Sequence, residues 1–348
     1  MESRSVNKPE PTVAVQQSFP EPRETTNPYI HMLRDNLAAT PGVDVRTFTW
    51  RRALLGRYDV FHAHWPEILV SGHSPLKKAV RQALTVALLA KLAITRTPIV
   101  RTLHNLHRPS GISRVENALL ALFERRTAFV IVLNESTALP DGTRSTVIPH
   151  GHYREWFAPY PQRPAVTGRF SYFGLIRRYK GVDRLLTAFA SVAGDVSLRV
   201  AGKPSSADLA DELSRLAAAD ERVELSLAFL SDAELVDVAR QGELVVLPYR
   251  EMHNSGGALA ALSVDRPVLV PANEVNARLS DEVGPGWVHQ YDGELSAEHL
   301  LSTLRVLHEE PRSERPDLSR RDWDVAGTLH LAAYRAALAR PRATRTSR

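Results

Sequence analysis

Short apolar runs alternate with helix-like patterns through the first part of the chain. The mainly apolar runs predict strands at 12–16, 43–49, 58–64, 98–103, 128–133 and 145–149. Apolar residues spaced three and four apart predict helices between them, over 29–39, 76–94 and 115–126. This alternation is typical of a parallel sheet with helices on both faces.

The same alternation restarts after a proline-rich segment at 150–167. Predicted strands follow at 170–174, 196–202, 223–227, 244–247 and 268–270. Predicted helices lie at 182–192, 207–219, 232–240 and 258–262, and a last helical pattern covers 322–338. The sequence therefore predicts two doubly wound α/β domains, in which ligands bind at the carboxyl ends of the strands.

Composition narrows the class of protein. The 348 residues are 43% hydrophobic and 24% charged, as in globular proteins. The absence of cysteine excludes disulfides and thiolate metal sites, and it fits a reducing cytoplasm. The first residues lack an apolar signal core, and no run of about 18 apolar residues occurs. We therefore expect a cytoplasmic protein without a membrane span.

Charge is unevenly distributed along the chain. Residues 1–160 carry 20 Lys and Arg against 13 Asp and Glu, whereas residues 161–340 carry 21 against 26. The basic first half keeps open a peripheral contact with the inner face of a membrane, with helix 76–94 as its candidate. The basic residues of this helix are Lys77, Lys78, Arg81 and Lys91. We favour the alternative, a helix packed on the sheet with a basic outer face.

Nucleic acid is not an expected partner. Aromatic residues make up 7% of the chain, and basic and aromatic residues do not interleave as they do along single-strand grooves.

A candidate phosphate site lies where the predicted strand at 244–247 passes into a small-residue helix. Asn254 and Ser255 are good N-cap residues, and Gly256 and Gly257 let a ligand approach the backbone closely. Free N–H groups at the start of a helix favour an anion. An ordinary strand-to-helix turn uses the same residue types and is the alternative.

A second candidate phosphate site follows the predicted strand 170–174. Gly174 precedes Arg177, Arg178 and Lys180, which places cations at the carboxyl end of a strand. Arginine suits bidentate phosphate contacts, and lysine supplies a compact charge. A solvated basic loop is the alternative, but two candidates in one domain support each other.

Several motifs together resemble the GT-B glycosyltransferases. Those of the second domain are Tyr172-Phe173-Gly174, Lys180-Gly181, Val200-Ala201-Gly202, Asn254-Ser255-Gly256 and Arg266-Pro267-Val268. Those of the first domain are His62-Ala63-His64 and Thr102-Leu103-His104-Asn105, and Thr146 to Gly151 is similar to the family's entry to the second domain. Over residues 12–338 the chain is similar to glycosyltransferase family four and to bacterial exopolysaccharide mannosyltransferases of the xanthan type.

The resemblance implies two Rossmann-like domains facing a cleft. It implies metal-independent transfer of a hexose, with GDP-mannose as the favoured donor, to a glycan or lipid-linked acceptor. The nucleotide sugar would be a substrate, and no cofactor is expected. The residues implied to hold it are Gly174, Arg177, Lys180, Gly202, Glu251, Asn254, Ser255, Gly256 and Gly257. His64 and His104 match histidines near the transferred sugar.

With this resemblance we divide the chain into five segments. They are a disordered start (1–11), an acceptor-binding domain (12–155), a nucleotide-sugar-binding domain (165–320), a helix that packs back on the first domain (321–340) and a disordered tail (341–348).

Some positions depart from the family pattern. Leu175 stands where the family often has arginine, and Arg177 would substitute for it. Two family glutamates, separated by seven residues, correspond to Met252 and Ala260. These departures favour an inverting exopolysaccharide-type enzyme, which needs a general base to deprotonate the acceptor hydroxyl. The candidate bases are Glu67, then His64, then Glu135.

Paired histidines at 62 and 64 and at 150 and 152 raise the question of a metal site. Neither pair is accompanied by cysteine or by a carboxylate at helix spacing, and we place His62 and His64 on opposite faces of their strand. Asp322-Trp323-Asp324 resembles the metal-binding motif of other glycosyltransferases, but we interpret it as a helix cap. We therefore predict no metal site.

Two other functions remain open. One is an epimerase-like GT-B enzyme that uses water in place of a glycan. The other is a non-catalytic scaffold that binds a carbohydrate or a partner, which Met252 and Ala260 favour. Lys180, Arg177 and Asn254 favour an enzyme.

Overall fold

The computed structural model describes residues 11–108 and 111–339. The chain forms two compact units, one ending at Pro149 and completed by the segment from Trp323, the other spanning His150–Asp322. The proline-rich segment 150–167 belongs to the second unit. The predicted disordered segments lie outside the described residues, except for Pro11.

The first unit contains a six-stranded parallel sheet. Its strands are β1 (Val13–Gln17), β2 (Val43–Arg46), β3 (Val60–Ala63), β4 (Ile99–Leu103), β5 (Thr127–Val132) and β6 (Ser145–Val147). Its helices before the second unit are α1 (Pro28–Ala39), α2 (Trp50–Leu55), α3 (Glu67–Val70), α4 (Pro75–Ile94) and α5 (Arg114–Arg125). The strand order β2-β1-β3-β4-β5-β6 places β1, β3 and β4 side by side in the interior of the sheet.

The second unit repeats this architecture. Its strands are β7 (Arg169–Phe173), β8 (Ser197–Ala201), β9 (Val223–Ser226), β10 (Leu244–Val246), β11 (Val268–Pro271) and β12 (Val288–Tyr291), in the order β12-β11-β10-β7-β8-β9. Its helices are α6 (Arg154–Phe157), α7 (Val182–Phe189), α8 (Ala207–Ala217), α9 (Asp232–Gln241), α10 (Gly256–Ser263), α11 (Glu274–Val283) and α12 (Ala297–Glu309). Every strand pair in both sheets is parallel, so the predicted fold class is confirmed.

The last helix, α13 (Trp323–Leu338), belongs to the first unit, where it packs on α1 and on the strands β1, β3, β4 and β5. Gly327 lies at the contact with α1. A Cβ atom at this position would come within 2.0 Å of Thr40 Oγ1 and 2.6 Å of Asn36 Oδ1. A glycine therefore lets the two helices approach closely, and Tyr334 is completely buried on the same helix.

Helix α4 covers the sheet of the first unit, but its outer face is not basic as expected. Leu88, Leu89 and Leu92 enter the core beside Phe61 and Phe123. Three of the four basic side chains of α4, those of Lys78, Arg81 and Lys91, turn to protein partners, so that of its basic residues only Lys77 is exposed beside large apolar side chains. The expectation of a basic outer face was therefore wrong. No helix of the described residues is long and apolar enough to cross a membrane.

Several elements escaped the sequence prediction. The helices α2, α3 and α6 have four to six residues, which is too short for an apolar period to show. Helices α11 and α12 are preceded by the N-cap residues Asn273 and Ser296, whose side chains accept hydrogen bonds from the backbone N–H three residues on. Those caps are readable signals, so this end of the second unit could have been predicted.

Candidate active site

Three predicted site residues line one pocket at the carboxyl edge of the first sheet. His64 follows β3, Glu67 begins α3, and His104 follows β4. We call this the histidine pocket, and its lining comprises His64, Trp65, Glu67, Arg101, His104, Asn105, His107, Arg108, Leu120 and Glu124. The Trp65 and His104 rings stack 4.0 Å apart at 17° and form one wall. Adjacent strands β3 and β4 thus bring together side chains that are 40 residues apart in the chain.

His64 is held by two hydrogen bonds that fix its tautomer. Its Nε2 lies 3.1 Å from Gln17 Oε1, an atom that only accepts, so Nε2–H donates. Its Nδ1 lies 3.2 Å from His104 Nε2 and accepts a hydrogen bond from that nitrogen. Burial lowers the pKa of His64 to about 3, with His330 adding to the shift, so the ring is neutral at pH 7. Neither nitrogen is available to take a proton from an acceptor.

A second set of hydrogen bonds, among buried side chains, supports Gln17, the partner of His64. Tyr334 OH accepts from Gln17 Nε2 at 3.4 Å and donates to His62 Nδ1 at 2.9 Å. His62 Nε2 then donates to Thr102 Oγ1 at 2.8 Å. Burial lowers the pKa of His62 well below its ordinary value, and the neighbouring His64 adds to the shift. The pocket floor is therefore a neutral, buried hydrogen-bonded network.

Glu67 differs electrostatically from these histidines. Its side chain is partly buried, and burial raises its pKa, opposed by a backbone hydrogen bond and by Arg101. Arg101 lies 3.2 Å from Glu124, which also pairs with Arg108. A carboxylate with a raised pKa at the mouth of a polar pocket is suited to accept a proton. Glu135, the third candidate base, is exposed after β5 and is not part of the pocket lining.

The placement of His62 and His64 on opposite faces was wrong. Residues two apart in a strand share a face, and the two ring centroids lie 4.2 Å apart. His152 Nε2 lies 2.7 Å from Asp322 Oδ1, so Asp322 contacts a histidine of its own unit just before α13 begins. Within residues 11–108 and 111–339, no group of three His, Asp or Glu side chains is arranged to hold a metal ion.

The two predicted phosphate loops meet in the second unit. We call residues 174–181 and 248–257 the glycine loops. The backbone N–H of Arg250 donates to Tyr179 O at 2.7 Å, and its guanidinium pairs with Asp183 at 3.2 Å. Gly181 has φ +65°, and a Cβ there would come within 2.1 Å of Pro248 O. The loops lie in contact only because position 181 has no side chain.

Lys180 and Arg177 supply cations to the glycine loops. Lys180 Nζ lies 5.2 Å from the centroid of the buried Tyr249 ring, a cation–π geometry. Burial lowers the pKa of Lys180, and the nearby positive charge of Arg177 also acts in this direction, while Tyr179 opposes it. Arg178, in contrast, is exposed and pairs with Glu212 at 2.9 Å. The loop thus holds Lys180 against Tyr249 within the glycine loops, whereas Arg178 is directed to a neighbouring helix.

Ser255 is the N-cap of α10, as predicted. Its Oγ accepts from Ala258 N at 3.1 Å, and it also shares a hydrogen bond with Tyr249. Gly256 and Gly257 are the first residues of α10, and Asn254 precedes the cap. Free backbone N–H groups of a first turn, beside Lys180 and Tyr249, are what a diphosphate requires. Gly202 lies just after β8, where its N–H donates to Ser226 O at 2.9 Å.

The acidic residue expected in this loop points away from the core. Glu251 is exposed, whereas Met252 beside it is buried. Asn273 Nδ2 donates to Met252 O at 3.0 Å, and Asn276 Nδ2 lies 3.5 Å from Met252 Sδ. Two asparagines thus fix the conformation around the position where family four has a glutamate.

A curated relative decides the family. The GDP-mannose:glycolipid 4-beta-D-mannosyltransferase of Xanthomonas campestris pv. campestris is 43% identical over 329 residues, covering 94% of this chain and 93% of that protein. This chain is a GT-B glycosyltransferase. It is an enzyme that moves a glycosyl group from a nucleotide sugar to an acceptor, as the motifs predicted. No family model matches its sequence.

Solved structures of similar fold support the architecture of this glycosyltransferase. Anabaena HepE, in complex with UDP and glucose, has a TM-score of 0.56 at 14% identity and covers 93% of this chain and 97% of its own. Sucrose-phosphate synthase from Thermosynechococcus elongatus has a TM-score of 0.58 at 14% identity, covering 94% and 96%. At these identities the likeness confirms the fold alone.

Sequence reasoning missed several residues of this glycosyltransferase that complete the two sites. In the histidine pocket and its floor they are Gln17, Trp65, Arg101, Thr102 and Tyr334, and beside the glycine loops they are Tyr153, Tyr249, Asn273 and Asn276. Most of them resemble ordinary core positions in the sequence. Gln17 and Thr102 carried a signal, because each is a polar residue near the carboxyl end of a strand that begins with apolar residues.

Proposed function

We propose that this enzyme transfers mannose from GDP-mannose to a glycolipid acceptor and inverts the anomeric centre. The observation that carries the proposal is the relative named above, which is 43% identical and spans both units. Its name gives a β-mannoside product, and a β-linkage formed from an α-linked nucleotide sugar requires inversion. The predicted boundaries of an acceptor-binding and a nucleotide-sugar-binding domain are part of this proposal.

The first unit supplies the base in the proposed reaction. Glu67 takes the proton from the attacking acceptor hydroxyl, because its pKa is raised and it lines the histidine pocket. His64 is a neutral partner, and together with His104 it shapes the pocket around the acceptor and the transferred sugar. His64 cannot be the base, since both of its nitrogens are engaged and its pKa is about 3.

The second unit holds the donor in the proposed reaction. Lys180, Arg177 and the N–H groups at the start of α10 bind the diphosphate of GDP-mannose. As the bond from the sugar to the diphosphate breaks, these groups stabilise the charge that develops on the leaving GDP. Fixed cations and backbone dipoles can take the place of a metal ion, so we propose a metal-independent transfer.

The proposed acceptor indicates where in the cell the enzyme works. A glycolipid acceptor requires work at a membrane surface, and a cysteine-free chain suits the cytoplasmic side. We therefore propose that the enzyme acts at the inner face of the membrane, in the assembly of an exopolysaccharide.

Calorimetric titration with GDP, UDP and ADP tests the donor, first with EDTA and then with Mg²⁺. We expect GDP to bind most tightly in both conditions, with affinity lost in Lys180→Ala. Transfer of radiolabelled mannose to a glycolipid extract then tests the reaction. Free mannose without a glycolipid product would favour the water-using GT-B enzyme, and no nucleotide binding would favour the non-catalytic scaffold.

A further inference from the structure

Helix α4 exposes an apolar face along its whole length. The exposed fractions are 75% for Leu76, 50% for Val80, 52% for Val86 and 82% for Ile94. Exposed alanines such as Ala83 and Ala87 fill the positions between them. These residues recur three and four apart, so they form one continuous strip, which we call the α4 strip. An amphipathic helix of a folded protein normally turns such a strip to the core, but α4 buries a different one.

Three of the four basic side chains of α4 are turned away from this strip. Lys78 pairs with the buried Glu116 of α5. Arg81 Nη1 donates to Ser71 O at 2.9 Å, just after α3. Lys91 Nζ donates to Ala53 O at 2.8 Å and to Gly56 O at 2.7 Å, at the end of α2. Arg81 and Lys91 thus satisfy carbonyls at the ends of short helices and Lys78 is paired with a carboxylate, which leaves the apolar strip facing water.

The helices that pack beside α4 also expose large apolar side chains. Leu55 of α2 is 78% exposed, Ile68 of α3 is 56% exposed and Val115 of α5 is 54% exposed. Of the fourteen large apolar side chains that are exposed in the described residues, seven belong to α2, α3, α4 and α5. A concentration of this kind marks an interaction surface rather than scattered surface residues.

The charge of this region selects the partner. Residues 50–126 carry 13 Lys and Arg against 4 Asp and Glu, a net charge of +9 in a chain whose total is +5. Two of the four acidic residues, Glu116 and Glu124, are already paired with cations. Exposed cations remain around the strip, among them Lys77, Arg96 and Arg125. In a symmetric dimer this patch would face its own copy, so cations would face cations. An anionic surface matches both the apolar strip and its basic rim.

We propose that the α4 strip, with Ile68 of α3, is a membrane-binding face that inserts among anionic lipid headgroups. The choice of occupant rests on the proposed glycolipid acceptor. Ile68 directly follows Glu67 in α3, so insertion of this face places the histidine pocket next to the lipid surface that carries such an acceptor. Helix α4, about 30 Å long at 1.5 Å per residue, would lie in the plane of the interface.

Vesicle sedimentation of the full-length enzyme tests this face. Vesicles of phosphatidylcholine alone are compared with mixtures of phosphatidylcholine and phosphatidylglycerol, at low and high salt. We expect binding to the anionic vesicles that weakens with salt. Val80→Glu combined with Val86→Glu should reduce that binding by at least about tenfold, because each change removes apolar contact and adds a repelled charge. Phe229→Glu is the matched control, since Phe229 is 52% exposed in the second unit.

The outcomes separate this inference from the proposed function. Retained GDP affinity in the double variant, together with lost vesicle binding and lost transfer to vesicle-bound acceptor, supports the membrane face. Equal vesicle binding by the double variant and the Phe229→Glu control overturns it, whether or not mannose is transferred. A wild-type dimer that the double variant abolishes, without vesicle binding, assigns the strip to a second copy and also overturns it.

Discussion

The histidine pocket and the glycine loops are built on opposite principles. The pocket is a set of buried side chains that hold one another in place, from Thr102 through His62 and Tyr334 to Gln17 and His64. The glycine loops are held by backbone contacts, with position 181 against Pro248 O, and they add cations to free N–H groups. A proton acceptor needs surroundings that set its pKa, whereas a bound anion needs hydrogen-bond donors and positive charge. The two regions should therefore fail differently when mutated.

The largest effect is expected from Glu67→Gln. Glutamine keeps the size of the side chain but cannot accept the acceptor's proton, so transfer should fall by about 10² to 10⁴-fold. GDP affinity should not change, because Glu67 belongs to the first unit. In the wild type, transfer should decline as the pH falls towards a pKa above the ordinary 4.5 of glutamate, since only the ionised form is a base.

Steady-state transfer with saturating donor, and calorimetry with GDP, measure these two quantities. Glu135→Gln is the matched control, since that carboxylate is exposed and is not part of the pocket lining. If Glu67→Gln transferred normally while Glu135→Gln did not, the base would have been misassigned.

Lys180→Ala should have the next largest effect, with the opposite signature. Loss of this cation should reduce the rate by at least about tenfold and weaken GDP binding as well, because the charge develops on the bound diphosphate. Arg178→Ala is the control, since Arg178 pairs with Glu212. Equal losses in both variants would mean a general charge effect instead of a specific contact.

The alkaline pH dependence of GDP binding sharpens this test. Burial lowers the pKa of Lys180 below the ordinary 10.5, so the free enzyme loses this charge at a lower pH than an exposed lysine does. GDP affinity should therefore decline on the alkaline side below pH 10.5, and Lys180→Arg should extend the plateau to higher pH. An identical profile in the arginine variant would exclude Lys180 as the titrating group.

Much of this division could be predicted from sequence. The element order follows from local apolar patterns, and both glycine loops could be predicted as phosphate candidates because glycine, caps and cations are local signals. The hydrogen-bonded network that supports His64 was not found, because its members Gln17 and Tyr334 are 317 residues apart and only the folded chain brings them together. The prediction of a basic outer face for α4 was wrong for a similar reason. The carbonyls that bind Arg81 and Lys91 belong to helices too short to predict.

Gly181→Ala should have a moderate effect that is confined to the glycine loops. The φ of +65° is unfavourable for alanine, and the new Cβ would meet Pro248 O at 2.1 Å, so the loops must separate. We expect a loss of about 1–3 kcal/mol in the free energy of unfolding. GDP affinity should fall severalfold, whereas the loss of stability at acid pH should follow that of the wild type.

Gly194→Ala provides the matched control for this change. Gly194 has φ +105°, and a Cβ added there would have no neighbouring atom within 4 Å, so it reports backbone strain without the collision. Denaturant unfolding and GDP calorimetry of both variants distinguish the two causes. Similar GDP affinities in the two variants would show that the contact with Pro248 does not position the donor site.

The smallest effect on transfer should come from Tyr334→Phe, which tests the pocket floor. The ring stays buried, but His62 Nδ1 and Gln17 Nε2 lose their hydroxyl partner, which costs about 1–3 kcal/mol of unfolding free energy.

The dependence of the unfolding free energy on acid pH should be the same in Tyr334→Phe as in the wild type, because burial of the histidines sets it. His64 has a folded pKa of about 3 against an ordinary 6.5, so the unfolded chain binds more protons between these values. Stability therefore rises with pH through this window and is lost as the pH falls from about 6.5 towards 3. His64→Gln removes one of the titrating rings, so its acid limb should be shallower than that of Tyr334→Phe. Urea unfolding across this pH range measures both slopes, and equal slopes in the two variants would mean that His64 is not held neutral by the fold.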